Sequence, residues 1–540
     1  MLLAWATLAS WPLSAGEPTA PPNTEVLFQQ AAENGRVASE SFRRCQRYVA
    51  AWLAKADPTT GLIPRNLTKD GDYWNGRDAG ADNYPFMVLT AWFTDRALLE
   101  GRLLDILRTE QRLTARVDRL PDDYSFSKQG WRRPEVNLNE LIFDGAEYVK
   151  DGLIPLTEWL GPSPWSERMT GIIDDIWKHA RIATPFGAVP TLNFEVNGDL
   201  LQAGARLYWF TGEAKYLDWA TRLGDYYLLG TNHPTRDLKQ LRLRDHGCEV
   251  VNGLTELYLA LKQVRLAKAA AYREPLHAMF DRILEVGRNE HGMLYDWVNP
   301  QTGQHSPGIC DTWGYDFDGF YTMHLLDHVP AYREAALKAM GNLQAHYTNY
   351  RWEGESADGY ADSIEGALNL LNREPVASAA AWVDSEMRVM WAKQKPDGII
   401  EGWHGDGNFA RTTIMYALWK TQGASVHPWR ADVRIGAVRD VDGGLCLSLS
   451  ADKAWSGRVV FDRPRHREFM HLPLDYPRIN QFPEWFTAGA GQVFEVEDLT
   501  AQRRWRATAK ELTAGLSLEL AAGQERRCRV RPLPKSEDLR

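Results

Sequence analysis

From about Ser41 to about Thr421 apolar side chains recur three and four residues apart, the spacing that gathers one face of an α-helix. Phe42, Cys45, Val49, Trp52 and Leu53 form one stripe, and Leu276, Met279, Phe280, Ile283 and Leu284 another. The remaining stripes run through Met169–Trp177, Tyr216–Tyr227, Tyr332–Leu343 and Val383–Trp391, each with a charged opposite face, as outer helices require. Between them stand helices that are apolar nearly all round. Each opens on a Gly-, Asp- or Asn-rich loop: Asp82–Phe86, Asp144–Glu147, Glu195–Asp199, His246–Glu249, Asp316–Phe320, Asp358–Asp362 and Gly405–Asn408. The openings return every 40 to 70 residues or so, roughly the length of a helical hairpin, and such a period marks a repeat architecture.

This pattern predicts a mainly α fold, an (α/α)6 or (α/α)7 toroid over residues 41–428, with all the opening loops at one mouth. After about Arg430 the pattern changes to short alternating segments such as Gly444–Leu449 and Leu516–Leu520, which predict a small antiparallel β-sandwich over 429–535. Its long Pro-rich loop Pro473–Asn480 is placed to dock on the ring rather than to do chemistry. Residues 1–16, an apolar run ending in Ser14, Ala15 and Gly16, read as a secretory signal peptide, with 17–40 a linker. That implies a periplasmic or secreted protein, and no other stretch is apolar and long enough to span a membrane.

Composition narrows the function. A net charge of -9 and the absence of a basic block argue against nucleic acid as a partner. The 22 Trp, 20 Tyr and 18 Phe supply flat faces that stack on sugar rings as readily as they fill cores. The five cysteines show no metal-ligand spacing; an oxidising compartment would allow one or two bridges among them, and most read as small buried hydrophobes.

Asp or Asn ahead of an apolar run serves first as a helix cap. Capping does not explain the Trp, His, Arg and Tyr crowded into the same loops: Trp74, Arg77 and Asp82; Asn197; Arg244, Asp245, His246 and Glu249; Trp313, Tyr315, Asp316 and Asp318; Tyr360 and Asp362; Trp403, His404 and Asp406. Hydrolysis of a glycosidic bond asks for two carboxyl groups, one protonated and one ionised. The candidates are Asp245, Glu249, Asp316 and Asp318, with Asp358, Asp362 and Asp406 behind them. Of Asp316 and Asp318, two residues apart, at most one is expected to be catalytic and the other to cap its helix. Glu249, in a first helical turn, suits a base or a cap better than a proton donor. The same loops also suit β-elimination on a uronic acid, with Arg77 or Arg244 neutralising the carboxylate and His246, His404, Tyr315 or Tyr360 moving protons. No cofactor and no metal are expected.

The helix-pair period, the aromatic and acidic loops and the trailing β-domain together resemble the six-hairpin glycosidase-like superfamily of (α/α) toroids. The resemblance covers about Ser41 to the end, is architectural, and carries over no catalytic motif. It implies a glycoside hydrolase acting on a poly- or oligosaccharide, with a polysaccharide lyase or epimerase, and then a non-catalytic glycan-binding protein, as alternatives.

Overall fold

A computed structural model describes residues 24–244 and 247–534. The expected signal segment 1–16 and the candidates Asp245 and His246 lie outside the described residues. Helix α1 (Thr24–Leu53) stands outside α2 (Tyr84–Thr94). A short turn α3 (Arg96–Leu98) leads to outer α4 (Leu104–Thr114), followed by the inner pair α5 (Leu138–Glu147) and α6 (Ile154–Leu160). The alternation continues with α7 (Pro164–Lys178) and α8 (Phe194–Thr211), α9 (Ala214–Leu228) and α10 (Cys248–Val264), and α11 (Leu266–Val286) and α12 (Trp313–Asp327). It ends with α13 (Pro330–His346) and α14 (Ala357–Leu371), then α15 (Ala377–Ala392) and α16 (Asn408–Thr421).

Each inner helix packs on the next, and α16 returns to touch α1 and α2, so the described residues close an (α/α)7 toroid. The two helix classes follow from their burial. In α10 every residue from Cys248 to Leu261 is buried, whereas α11 buries only the stripe Ala269, Tyr272, Leu276, Met279, Phe280, Ile283 and Leu284. Inner helices approach closely where glycine faces a neighbour: a Cβ on Gly198 of α8 would fall 2.4 Å from that of Glu249 on α10.

The chain then forms β1 (Ser425–His427), β2 (Val433–Arg439), β3 (Leu445–Ala451), β4 (Trp455–Val460), β5 (Val493–Asp498), β6 (Arg503–Thr508), β7 (Leu516–Leu520) and β8 (Glu525–Pro532). These make an antiparallel sandwich of a five-stranded sheet, β2-β3-β8-β5-β6, and a three-stranded one, β1-β4-β7. Ile435, Leu447, Val459, Leu518 and Val530 meet in its core. The stretch expected as linker is instead largely the first half of α1. This half lies on the five-stranded sheet, with Gly35 against Gly436, Asn34 Nδ2 donating to the Ala437 carbonyl at 3.0 Å, and Leu27 and Phe28 beside Cys446. One continuous helix therefore ties both domains.

The segment between β4 and β5 packs against the inner helices and reaches the central cavity at Ile479 and Asn480. Met470, Leu472 and Tyr476 pack on Leu259, and Arg478, 1% exposed, forms a two-pronged ion pair with Glu158 of α6 (3.0 and 2.7 Å). Arg206 of α8 holds Glu256 and donates to the Ile479 carbonyl, and Tyr476 donates to Glu256. The loop that the sequence places as a docking element is thus the floor of the ring.

Candidate active site

The inner-helix N-termini and the plug tip surround a cavity of about 420 Å³ lined by eight carboxyl groups, three permanent cations and one histidine. Its most distinctive wall is built from two π-helical turns, Gly76–Asn83 before α2 and Tyr148–Leu153 between α5 and α6. Each is followed by a proline, Pro85 and Pro155, which has no N–H to continue an α-helical ladder, and a widened turn accommodates that loss. The turns touch: a Cβ on Gly152 would fall 2.7 Å from Pro85 Cγ and 3.1 Å from the Ala81 carbonyl oxygen. That close approach places Asp82 and Asp151, one from each turn, on the same cavity.

The two carboxyls live in opposite surroundings. Burial pushes Asp82 up to about 8, with Asp151 and Asp78 adding to the rise against the His404 and Arg411 cations. Burial also opposes ionisation of Asp151, but the Lys150 ammonium together with hydrogen bonds from Glu147, Lys150 and Asn480 outweighs it and holds that group below its ordinary value. Lys150 Nζ and Asn480 Nδ2 both donate to Asp151 Oδ1 at 2.7 Å, so an ion pair and the plug tip together fix the carboxylate. Glu147, driven well up by burial, adds a hydrogen bond to it.

His404 Nε2 lies 3.5 Å from Asp82 and 3.8 Å from Asp78, and its Nδ1 meets the Gly405 carbonyl at 3.0 Å. Burial works against a charged ring, yet these carboxylates overcome it and raise the His404 pKa. Ligating atoms of Asp78, Asp82 and His404 fall within 4.8 Å of one another, a spacing a cation could use. Asp78 is already held by Arg65 and by Asn75 (2.6 Å), so the trio is better described as an Asp78–His404 charge pair with the raised Asp82 carboxyl beside it. Across the cavity Arg411 donates to Asp362 at 2.6 Å and to the Tyr315 hydroxyl at 3.2 Å, while Asn408 donates to Asp358 at 2.7 Å.

Of the sequence candidates, Arg77, Asp82, Glu249, Tyr315, Asp358, Asp362, Trp403 and His404 line this cavity. Glu249 sits in the first turn of α10, bound by Lys150 and Gln202; burial raises its pKa despite Lys150. Asp316 and Asp318 are a correction. Helix α12 already begins at Trp313, so both fall inside it with no exposed surface, and Asp318 accepts from Asn369 at 3.2 Å. Neither lines the cavity, and the cap position belongs to Thr312.

Trp74, Trp313 and Tyr360 are likewise core rather than sugar platforms. Trp74 packs edge-on against Tyr148, Trp313 against Phe317 and Trp382, and the Tyr360 hydroxyl donates to the Tyr350 carbonyl at 2.8 Å. Asn197 Nδ2 donates to the Tyr227 hydroxyl at 3.0 Å, and Arg244 to Glu353, also at 3.0 Å. Asp406 is buried and lies outside the lining. Trp403, 69% exposed, and Phe143 remain as aromatic faces at the site.

Sequence reading passed over Lys150, Asp151, Arg411 and Asn480. The signal for Asp151 was present: an Asp four residues before a helix-interior proline, echoing Asp82 three residues before Pro85. Asn480 has no local signal, because its role arises from a segment some 330 residues away in sequence.

No family model matches the sequence, and no curated protein matches it. Among solved structures, the chain is similar to the GH76A alpha-1,6-mannanase from Salegentibacter sp. HEL1_6, at 10% identity and a TM-score of 0.40, covering 70% of this chain and 98% of that one. It is similar to a glycoside hydrolase family 76 mannosidase from Bacteroides thetaiotaomicron VPI-5482 (11%, 0.41, 70% and 99%). A third is an unsaturated glucuronyl hydrolase from Bacillus sp. GL1 (13%, 0.39, 53% and 88%). The residue roles below rest on this chain's own geometry.

Proposed function

We propose that this protein is an exported glycoside hydrolase acting on a poly- or oligosaccharide, with Asp82 as proton donor and Asp151 as the ionised partner. One observation carries the reading: two carboxyls on touching π turns open on one cavity, with environments that keep one protonated and the other charged. Asp82 would protonate the departing glycosidic oxygen. Asp151 would act at the anomeric carbon, as base toward water or as nucleophile, while positive charge develops on the sugar. Phe143 and Trp403 offer faces for sugar rings, and Asp358 and Asp362 offer acceptors for hydroxyls. The apolar opening Met1–Ala15 supports export.

Elimination on a uronic acid finds less support. The cavity cations are committed, Arg77 to Asp144 and Glu140, Lys150 to Asp151 and Glu249, and Arg411 to Asp362 and Glu365. Burial also keeps the Tyr315 hydroxyl well above its usual pKa, which disfavours it as a base. A purely sugar-binding role would not need ionisable groups tuned apart in an enclosed cavity.

The pH dependence tests the assignment. Asp82 must be protonated and Asp151 ionised, so kcat/KM is expected to hold through neutral pH and fall as pH rises through about 8. His404 lowers the Asp82 pKa, so His404→Gln should move this alkaline limb to higher pH. A limb that stays in place or moves down would remove Asp82 from the donor role.

A further inference from the structure

The carboxyl pair lies deep in the acidic cavity: Asp82 and Asp151 expose only 18% and 14% of their side chains. Asp151 touches the floor, where Asn480 donates to it. That floor is fixed, since the Asn480 backbone N–H donates to Glu365 at 2.7 Å, Arg411 donates to the Asn480 side-chain oxygen at 3.0 Å, and Arg206 donates to the Ile479 carbonyl. A sugar chain cannot run out through the bottom of the ring.

The sides are shut as well. The two π turns meet at Gly152, and α8 meets α10 at Gly198. A Cβ on Gly314 of α12 would fall 2.4 Å from Gly366 Cα of α14, and one on Gly407, just before α16, 2.0 Å from the Asp82 carbonyl oxygen. Asn252 of α10 donates to the Tyr315 carbonyl of α12 at 2.8 Å, Thr412 of α16 donates to the Ala361 carbonyl of α14 at 3.0 Å, and α5 packs on α8. Backbones this close leave no channel for a pyranose, so among the described residues the cavity opens only at the mouth. Its 420 Å³ or so is at the small end of the roughly 300–1,000 Å³ of ligand pockets, room for a sugar ring or two and not for a chain that must both enter and leave.

The pair also has a direction. Asp151 is anchored to the floor, whereas Asp82 stands beside the loop that carries His404, 3.5 Å away, and Trp403, 69% exposed at the rim. The anomeric carbon attacked through Asp151 therefore lies over the floor, and the departing oxygen faces the rim. We infer that the enzyme removes one sugar at a time from the non-reducing end of its substrate, with the terminal ring seated over Asn480 and the rest of the chain leaving through the mouth. Water adds its hydroxyl to the anomeric carbon, Asp82 gives its proton to the departing oxygen, and the proton that water sheds returns to the carboxyl pair. The choice of end rests on the hydrolase reading; the closed pocket does not.

The full chain is incubated with hexasaccharides of mannan, xylan and polygalacturonate, each carrying a fluorophore at its reducing end, and with the parent polysaccharides. Whichever of them is cleaved, the labelled chain should shorten by one sugar at a time with release of unlabelled monosaccharide. The viscosity of the parent polysaccharide should hardly fall while reducing ends accumulate, and at equal mass the rate should drop in proportion to chain length, because it counts chain ends. Labelled fragments of intermediate length at the earliest times, a collapse of viscosity, or label released on a monosaccharide would each overturn the proposal. Stepwise shortening accompanied by the ultraviolet absorbance of unsaturated uronates would remove the hydrolase reading and leave the closed pocket standing, so end-wise action and hydrolysis fail separately.

Discussion

Asp82→Asn is expected to lower kcat/KM roughly 10³-fold on a substrate whose leaving group is another sugar, because the amide cannot protonate the departing oxygen. On an aryl glycoside whose phenolate leaves without a proton, most of the activity should remain. Asp151→Asn should lose a comparable factor on both substrates, since the carboxylate acts at the anomeric carbon whatever departs. The contrast follows from the two environments: burial keeps Asp82 protonated, whereas Lys150 and Asn480 anchor a charged Asp151. Equal losses for Asp82→Asn on both substrates would make it a binding group and not the proton donor.

The second large effect falls on stability. Arg478→Met leaves the Glu158 carboxylate, 2% exposed, with only the more distant Arg206 at 3.7 Å. Removing one member of a buried ion pair costs about 3–5 kcal/mol, and the urea midpoint should fall accordingly. The double variant Glu158→Leu/Arg478→Met should recover much of that loss, because no buried charge is then stranded. Burial opposes ionisation of Glu158, but Arg478, with Arg206 and Arg465 behind it, holds its pKa below the ordinary value, so the pair's contribution is present at neutral pH and is lost as the solution is acidified. A single variant that costs less than about 1 kcal/mol would mean that the plug is held by other contacts.

Much of this molecule is readable in the chain because its fold rests on periodicity. A one-sided stripe such as that of α11 and an all-round apolar run such as that of α10 report outer and inner helices directly. The acidic mouth follows, since inner helices that run the same way gather their polar openings. The reading fails where a residue's neighbours come from elsewhere in the chain. Trp74, Trp313 and Tyr360 have the composition of a sugar platform, but in a ring of packed helices the space beside a helix start is core. Asp316 and Asp318 look like loop carboxylates because the Gly and aromatic residues around them hide a helix that has already begun. The π turns were marked only by prolines, and the floor of the site by nothing local, since Arg478 and Asn480 find Glu158 and Asp151 across the whole ring.

The most direct test is to incubate the wild-type protein and Asp82→Asn with a panel of neutral and uronic-acid polysaccharides, following new reducing ends together with the ultraviolet absorbance of unsaturated uronates. New reducing ends from the wild type, without a matching rise in absorbance and nearly abolished in the variant, are the predicted result. Absorbance rising in step with chain cleavage, or cleavage undiminished in the variant, would contradict hydrolysis by this carboxyl pair.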